Sequence, residues 1–247
     1  MNSQVTGSWK DERQTEFLQY PGLIMENPIV LQINKGLEIG YKRRCIAKLN
    51  DDLRFRRGEI SLLLGSNGQG KTTLMKTLSG LLPAVAGHVK KVRTMFVSDE
   101  VEFPACLTPL EIVSCFDPAG DYCDLARELI DSLELQNKCY GVLSKGNRQK
   151  ARIVFAEVLA RVREVELLAL DEPFAGLDFQ ARDCLVKRWI DAKNPKLHLV
   201  VSMHPSEIAS LPSQIILVGQ GQIDTAAPET PWRELRPRLQ KTELCAA

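Results

Sequence analysis

The chain has 247 residues, 44% hydrophobic and 26% charged, with 32 Lys plus Arg against 31 Asp plus Glu and a formal net charge of +1. That length holds one large domain or a core with an inserted subdomain, and the charge balance gives no general reason to expect nucleic acid or an anionic membrane as partner. No apolar stretch reaches membrane-spanning length, and Met1 to Glu16 is polar with both signs of charge, unlike a secretory signal. The seven scattered cysteines form no C-x-x-C pair, which fits a reducing cytosol rather than a disulfide framework or a zinc site.

Residues 1–28 read as an N-terminal extension, polar first and then marked by the Tyr20-Pro21-Gly22 turn signal and Pro28. Residues 29–33 and 37–39 read as strands, and residues 49–55 as a further alternating strand before the Arg57-Gly58 turn. Residues 59–64 are a short apolar run suited to a buried parallel strand. Gly65-Ser66-Asn67-Gly68-Gln69-Gly70-Lys71-Thr72-Thr73 follows, matching the pattern G-x-x-x-x-G-K-S/T. In such a loop successive backbone N–H groups wrap a polyphosphate, Lys71 neutralises its terminal groups, and the Thr72 hydroxyl ligates Mg²⁺. Residues 73–80 have helical character, so strand, loop and helix N-terminus form an anion site. A nucleoside triphosphate is the expected ligand.

Residues 88–97 read as another strand, and between Pro104 and Asn147 the texture turns helical, with Leu125, Leu129, Ile130 and Leu133 on one face. A longer amphipathic helix runs from beyond Ser144 to about Arg163, with Ile153, Val154, Val158 and Leu159 inward. Strand runs at 166–170 and 197–202 flank a helical stretch around 182–192, and a hairpin over 215–223 closes the order. Strands alternating with helices indicate an α/β core with a mainly parallel sheet and a helical insertion near residues 98–150. Leu167-Leu168-Ala169-Leu170-Asp171-Glu172-Pro173 is an apolar strand ending in two carboxylates, at the sheet edge where ligands sit in open α/β folds. Asp171 is then placed to hold Mg²⁺ and Glu172 to orient or deprotonate an attacking water.

From about Ile29 to Ile223 the order of motifs resembles an ATP-binding-cassette (ABC) ATPase. After the phosphate loop come Leu143-Ser144-Lys145-Gly146-Asn147, similar to the family signature Leu-Ser-Gly-Gly-Gln, and then Asp171-Glu172-Pro173. Ala175-Gly176-Leu177-Asp178 resembles the D-loop, and Ser202-Met203-His204 the switch histidine. The resemblance implies a P-loop NTPase fold with an antiparallel β subdomain and an inserted helical subdomain. It implies a single ABC domain over residues 29–230, followed by a tail over 231–247. It also implies ATP and Mg²⁺ as cofactors, hydrolysis through Glu172 and His204, and a head-to-tail dimer with a second cassette, identical or paired. In that dimer Ser144, Lys145, Gly146 and Asn147 serve the γ-phosphate held by the opposite subunit. Ser144 is itself well placed to cap the helix that follows. Tyr41 matches the aromatic that stacks on adenine in this family, or else is a half-buried sheet residue. His88 and His198 read as structural.

Three positions depart from the family pattern. Lys145 and Asn147 replace a glycine and a glutamine of the signature, and the form Leu-Ser-Lys-Gly-Asn resembles exporter-type cassettes. Asp99 stands where the family carries a glutamine that contacts Mg²⁺ and relays to the membrane partner. The segment between Lys71 and Asp99 is short for the family, so its antiparallel strands are expected to be trimmed. The implied role is an ATP-hydrolysing subunit, cytoplasmic and peripheral on a membrane through an integral permease, driving an exporter. Two other readings stand beside it: a nucleotide switch with weak or no hydrolysis, and a non-transport ABC protein acting on nucleic acid or ribosomes. Charge balance and the single cassette disfavour the last.

Overall fold

The computed structural model describes residues 28–191, 198–203 and 214–239. Ten strands and six α-helices occur among them. β1 (Ile29–Ile33) pairs antiparallel with β4 (Leu53–Arg56) as a small sheet. The main sheet contains β2 (Glu38–Tyr41), β3 (Arg44–Leu49), β5 (Ile60–Leu64), β6 (Thr94–Val97), β7 (Leu167–Leu170), β8 (His198–Met203), β9 (Gln214–Gly219) and β10 (Gln222–Ala226). Its order is β2-β3-β10-β9-β5-β8-β7-β6. The run β9-β5-β8-β7-β6 is parallel throughout, while β2 with β3 and β9 with β10 are antiparallel pairs.

β5 is buried along its whole length because helices and the small sheet cover both of its faces. The alternation of side chains across a strand divides the apolar residues into two cores. Leu62 and Leu64 of β5, Leu168 and Leu170 of β7, and Ile215 and Leu217 of β9 face one core. Leu63, Leu167, Ala169, Ile216 and Val218 face the other. The first core is completed by α4 (Lys145–Val162), α5 (Phe179–Asp191) and the insertion helices α2 (Pro109–Ser114) and α3 (Cys123–Ser132). The second is completed by α1 (Lys71–Leu78) and the antiparallel strands. Leu129, Ile130 and Leu133 are buried as the helical period requires, as are Ile153, Val154 and Val158 of α4.

Two strand expectations are corrected. Residues 49–55 are not one strand: β3 ends at Leu49, a bend at Asp51 interrupts the run, and β4 begins at Leu53 in the other sheet. Of residues 88–97 only Thr94–Val97 is strand. Among the described residues the basic stretch before it has no ladder partner, and the trimmed antiparallel arm is reduced to a single bridge between Glu38 and Ala86. Within the stretch set apart as a tail, α6 (Trp232–Leu239) packs Leu235 and Leu239 into the first core, and Arg238 lies 3.7 Å from Asp224 of β10. Residues 1–27, and with them nearly all of the N-terminal extension, lie outside the described residues. No helix among the described residues is long and apolar enough to cross a membrane.

Candidate functional site

The site forms where β5 and β7 end at the same edge of the sheet. β5 delivers the chain into Gly65, and the loop from Ser66 to Gly70 turns it into α1. Gly70 caps that helix at φ 109°, a left-handed conformation that a side chain rarely tolerates, so glycine is required there. Lys71 is buried under the loop, where its Nζ donates to Gly65 O (2.8 Å) and Asn67 Oδ1 (3.5 Å). Its charge is thereby aimed into the cradle formed by the loop's backbone. Ser66 Oγ donates to Leu239 O at 3.5 Å, and Gln69 Oε1 accepts from the Gln220 N–H at 3.3 Å, so α6 and the β9–β10 turn brace the loop from outside.

Register decides the rest. β8 lies between β5 and β7, with Leu64 level with Met203 and Leu170 level with Val201. Continuing that register brings Asp171 beside Ser202. Thr72 Oγ1 donates to Asp171 Oδ2 at 2.5 Å across 99 positions of sequence, and Ser202 Oγ donates to Asp171 Oδ1. Ser202 Oγ also accepts the Glu172 N–H at 2.8 Å. That bond helps to hold Glu172 at φ 48° and turns the chain away from the strand axis. The Glu172 carboxylate is half-exposed, 3.7 Å from Lys71 Nζ. Ser202 is fully buried, and the sequence signals this role only through its place two residues before His204.

A hard divalent cation takes oxygen ligands. The Thr72 hydroxyl and the Asp171 carboxylate meet at the loop's rim and give such a donor pair, which fits Mg²⁺ held jointly with nucleotide phosphates and water. No cluster of three or more His, Cys, Asp or Glu side chains suited to a metal occurs among the described residues. A cavity of about 320 Å³ is lined by Tyr41, Gly70, Lys71, Thr72, Thr73 and Glu172 among others. It adjoins one of about 460 Å³ that includes Tyr41, Arg44, Ile46 and Gly68. Tyr41 is 46% exposed and its Oη accepts from Thr73 Oγ1 at 3.4 Å, so the ring stands over the open end of the phosphate loop.

Residues 143–150 do not line that cavity. Ser144 caps α4, its Oγ accepting the Asn147 N–H at 3.3 Å, and Lys145 is the first residue of the helix. Gly146 makes its close approach within its own chain, because a Cβ there would meet Gly176 O at 2.7 Å. Asp178 caps α5 by accepting the Ala181 N–H at 2.8 Å, and Lys150 Nζ lies 3.5 Å from its other oxygen. The Ala181 N–H first, and then Lys150, hold the Asp178 carboxyl below the usual aspartate range. Asp99 is exposed on the turn after β6. His88 is exposed, and β8 ends at Met203, so His204 lies outside the described residues.

The family model for ABC transporters matches residues 49–175, which hold the phosphate loop, the capped α4 and the Asp171-Glu172 pair. The chain belongs to that family. Among curated relatives, this ABC-family chain is 33% identical over 199 residues to aliphatic sulfonates import ATP-binding protein SsuB 1 of Pseudomonas fluorescens, covering 77% of this chain and 73% of that one. It is 29% identical over 220 residues to sulfate/thiosulfate import ATP-binding protein CysA of Salmonella typhi, covering 77% of this chain. The chain spans 59% of the length of that relative. A solved structure described as the ATP binding subunit of an ABC transporter superposes with a TM-score of 0.70 at 23% identity, covering 85% of this chain and all of that one. That likeness shows the ABC ATPase fold.

Proposed function

We propose that this ABC subunit binds Mg-ATP, hydrolyses it, and passes the resulting dimerisation and release to an integral membrane permease. The observation that carries the proposal is the convergence of Lys71, Thr72, Asp171 and Glu172 at one sheet edge, with Thr72 bonded to Asp171 and Lys71 within 3.7 Å of Glu172. The loop amides and Lys71 bind and neutralise the β- and γ-phosphates. Thr72 and Asp171 would hold Mg²⁺, which when bound screens the phosphate charge. Glu172, fixed at its backbone by Ser202, orients a water in line with the γ-phosphate and accepts its proton. Tyr41 covers the base. His204 is the proposed γ-phosphate sensor.

Because residues 143–150 do not line this chain's own cavity, the capped N-terminus of α4 supports a composite site completed by a second cassette. Ser144, Lys145, Gly146 and Asn147 are assigned to that contact, with Asp178 beside it. A peripheral position on the cytoplasmic face, held by the permease, follows from the same reading. As for direction, the five-residue signature alone resembles exporters, whereas the named relatives that cover most of the chain are import ATPases. The comparisons do not support the expectation of export, and uptake is the proposed direction.

The test separates binding from turnover. Lys71→Ala abolishes ATP binding, whereas Glu172→Gln keeps it, stops hydrolysis and traps a dimer. Wild-type hydrolysis by Glu172→Gln removes Glu172 from the mechanism.

A further inference from the structure

Arg152 of α4 bonds the segment that follows β6 and, through Gln149, reaches the segment that bears Glu172. Its side chain is only 7% exposed, yet every nitrogen of its guanidinium is used. Nε donates to Val101 O at 2.6 Å, Nη2 to Glu102 Oε1 at 2.6 Å, and Nη1 to Gln149 Oε1 at 3.1 Å. Gln149, also buried, spends its other end on the far segment: Nε2 donates to Pro173 O at 3.1 Å. Pro173 directly follows Glu172. Four hydrogen bonds therefore run without a gap from the 101–102 backbone and side chain to the residue next to the proposed base.

The turn also carries bonds of its own. Val101 N–H donates to Ser98 O (3.2 Å), Glu100 N–H to Ser98 Oγ (3.3 Å), and Glu100 lies 3.4 Å from Lys76 of α1. Burying a guanidinium is costly unless its donors are satisfied, and here the planar fork satisfies three acceptors at once, two on the 101–102 segment and one on its own helix. A lysine presents one charged point and cannot do so.

We infer that Arg152 is a positioning residue: through Gln149 it ties the turn at 98–102 to the segment bearing Glu172, so that a partner displacing the turn shifts the carboxylate. This rests on the hydrolytic reading of Glu172 given above. It assigns to Arg152 and Gln149 the relay that a glutamine at position 99 would otherwise supply.

The test uses the full chain carrying Arg152→Met, Gln149→Leu, both together, or Arg152→Lys. In Arg152→Met and in Gln149→Leu, kcat for ATP is expected to fall about tenfold, the scale set by a small misplacement of a reacting group, while ATP affinity stays within about twofold. The double variant is expected to fall no further than the worse single one, since both cut the same chain. Amide hydrogen exchange supplies a readout independent of turnover: in Arg152→Met, amides at 99–103 and at 174–177 both exchange faster, and in Gln149→Leu those at 174–177 do. If Arg152→Met does not fold, Arg152→Lys keeps the ion pair with Glu102 and is expected to show the same pattern at smaller amplitude. Faster exchange confined to 99–103, with kcat unchanged, overturns the inference. Should Glu172→Gln prove active, the base assignment fails, while linked exchange at the two segments still decides whether the tether exists.

Discussion

Ser202→Ala removes one hydroxyl and should unsettle both Asp171 and Glu172. Ser202 is 0% exposed, donates to Asp171 Oδ1 and accepts the Glu172 N–H at 2.8 Å. Alanine leaves the carboxylate one donor short and the N–H without its acceptor. A hydrogen bond to a charged group contributes about 1.5–3 kcal/mol, and a stranded buried polar group costs about 1–3 kcal/mol. Asp171 keeps its bond from Thr72 and Glu172 is only partly buried, so the two losses do not add in full. The expected destabilisation is about 2–4 kcal/mol, which for a domain of this size lowers Tm by roughly 5–15 °C. Urea unfolding of wild type and Ser202→Ala measures the same difference as a shift of midpoint at unchanged slope. ATP hydrolysis should fall as well, because Glu172 at φ 48° loses one of the contacts that hold it there. A Tm within about 1 °C of wild type, together with a normal rate, refutes the reasoning from register and burial.

Gly146→Ala places a Cβ 2.7 Å from Gly176 O, so the 175–177 turn must shift, at a cost of about 1–3 kcal/mol partly offset by better helix propensity. The urea midpoint should drop, and Lys145→Ala, one position earlier, should leave it in place. Asp178 has a lowered folded pKa, so its contribution to stability is present above the unfolded value of about 3.9 and is lost as pH falls through the folded value. Urea midpoints for Asp178→Asn should therefore lie below wild type at pH 7 and converge with it in acid; a constant gap contradicts the assignment. Mixing Lys71→Ala with Ser144→Arg subunits leaves one intact composite site in a heterodimer, and ATPase activity should reappear above that of either variant alone. No recovery argues against head-to-tail pairing.

Much of the site was legible because its signals are local. The phosphate loop needs its residues within one turn of chain, and Ser144 caps α4 through an N–H only three residues on. The apolar face of α3 and the burial of β5 follow from periodicity and run length, which neighbours in sequence determine. Strand boundaries were less legible where a bend interrupted an alternating run, as at Asp51, because the alternation continues in phase on the other side.

What tertiary structure alone decided are contacts between segments remote in sequence. Nothing near Ser202 announces that it will bond Asp171; parallel register between β7 and β8 does that. Gly146 meets Gly176 because α4 and the turn before α5 pack backbone to backbone, a distance that no spacing in sequence encodes. Arg152 reads as one more charge on an amphipathic helix, and only packing shows it buried among three acceptors. The physical division is one of range: caps, turns and periodicity act over a few residues, whereas register and close approach are set by whichever segments the hydrophobic cores bring together.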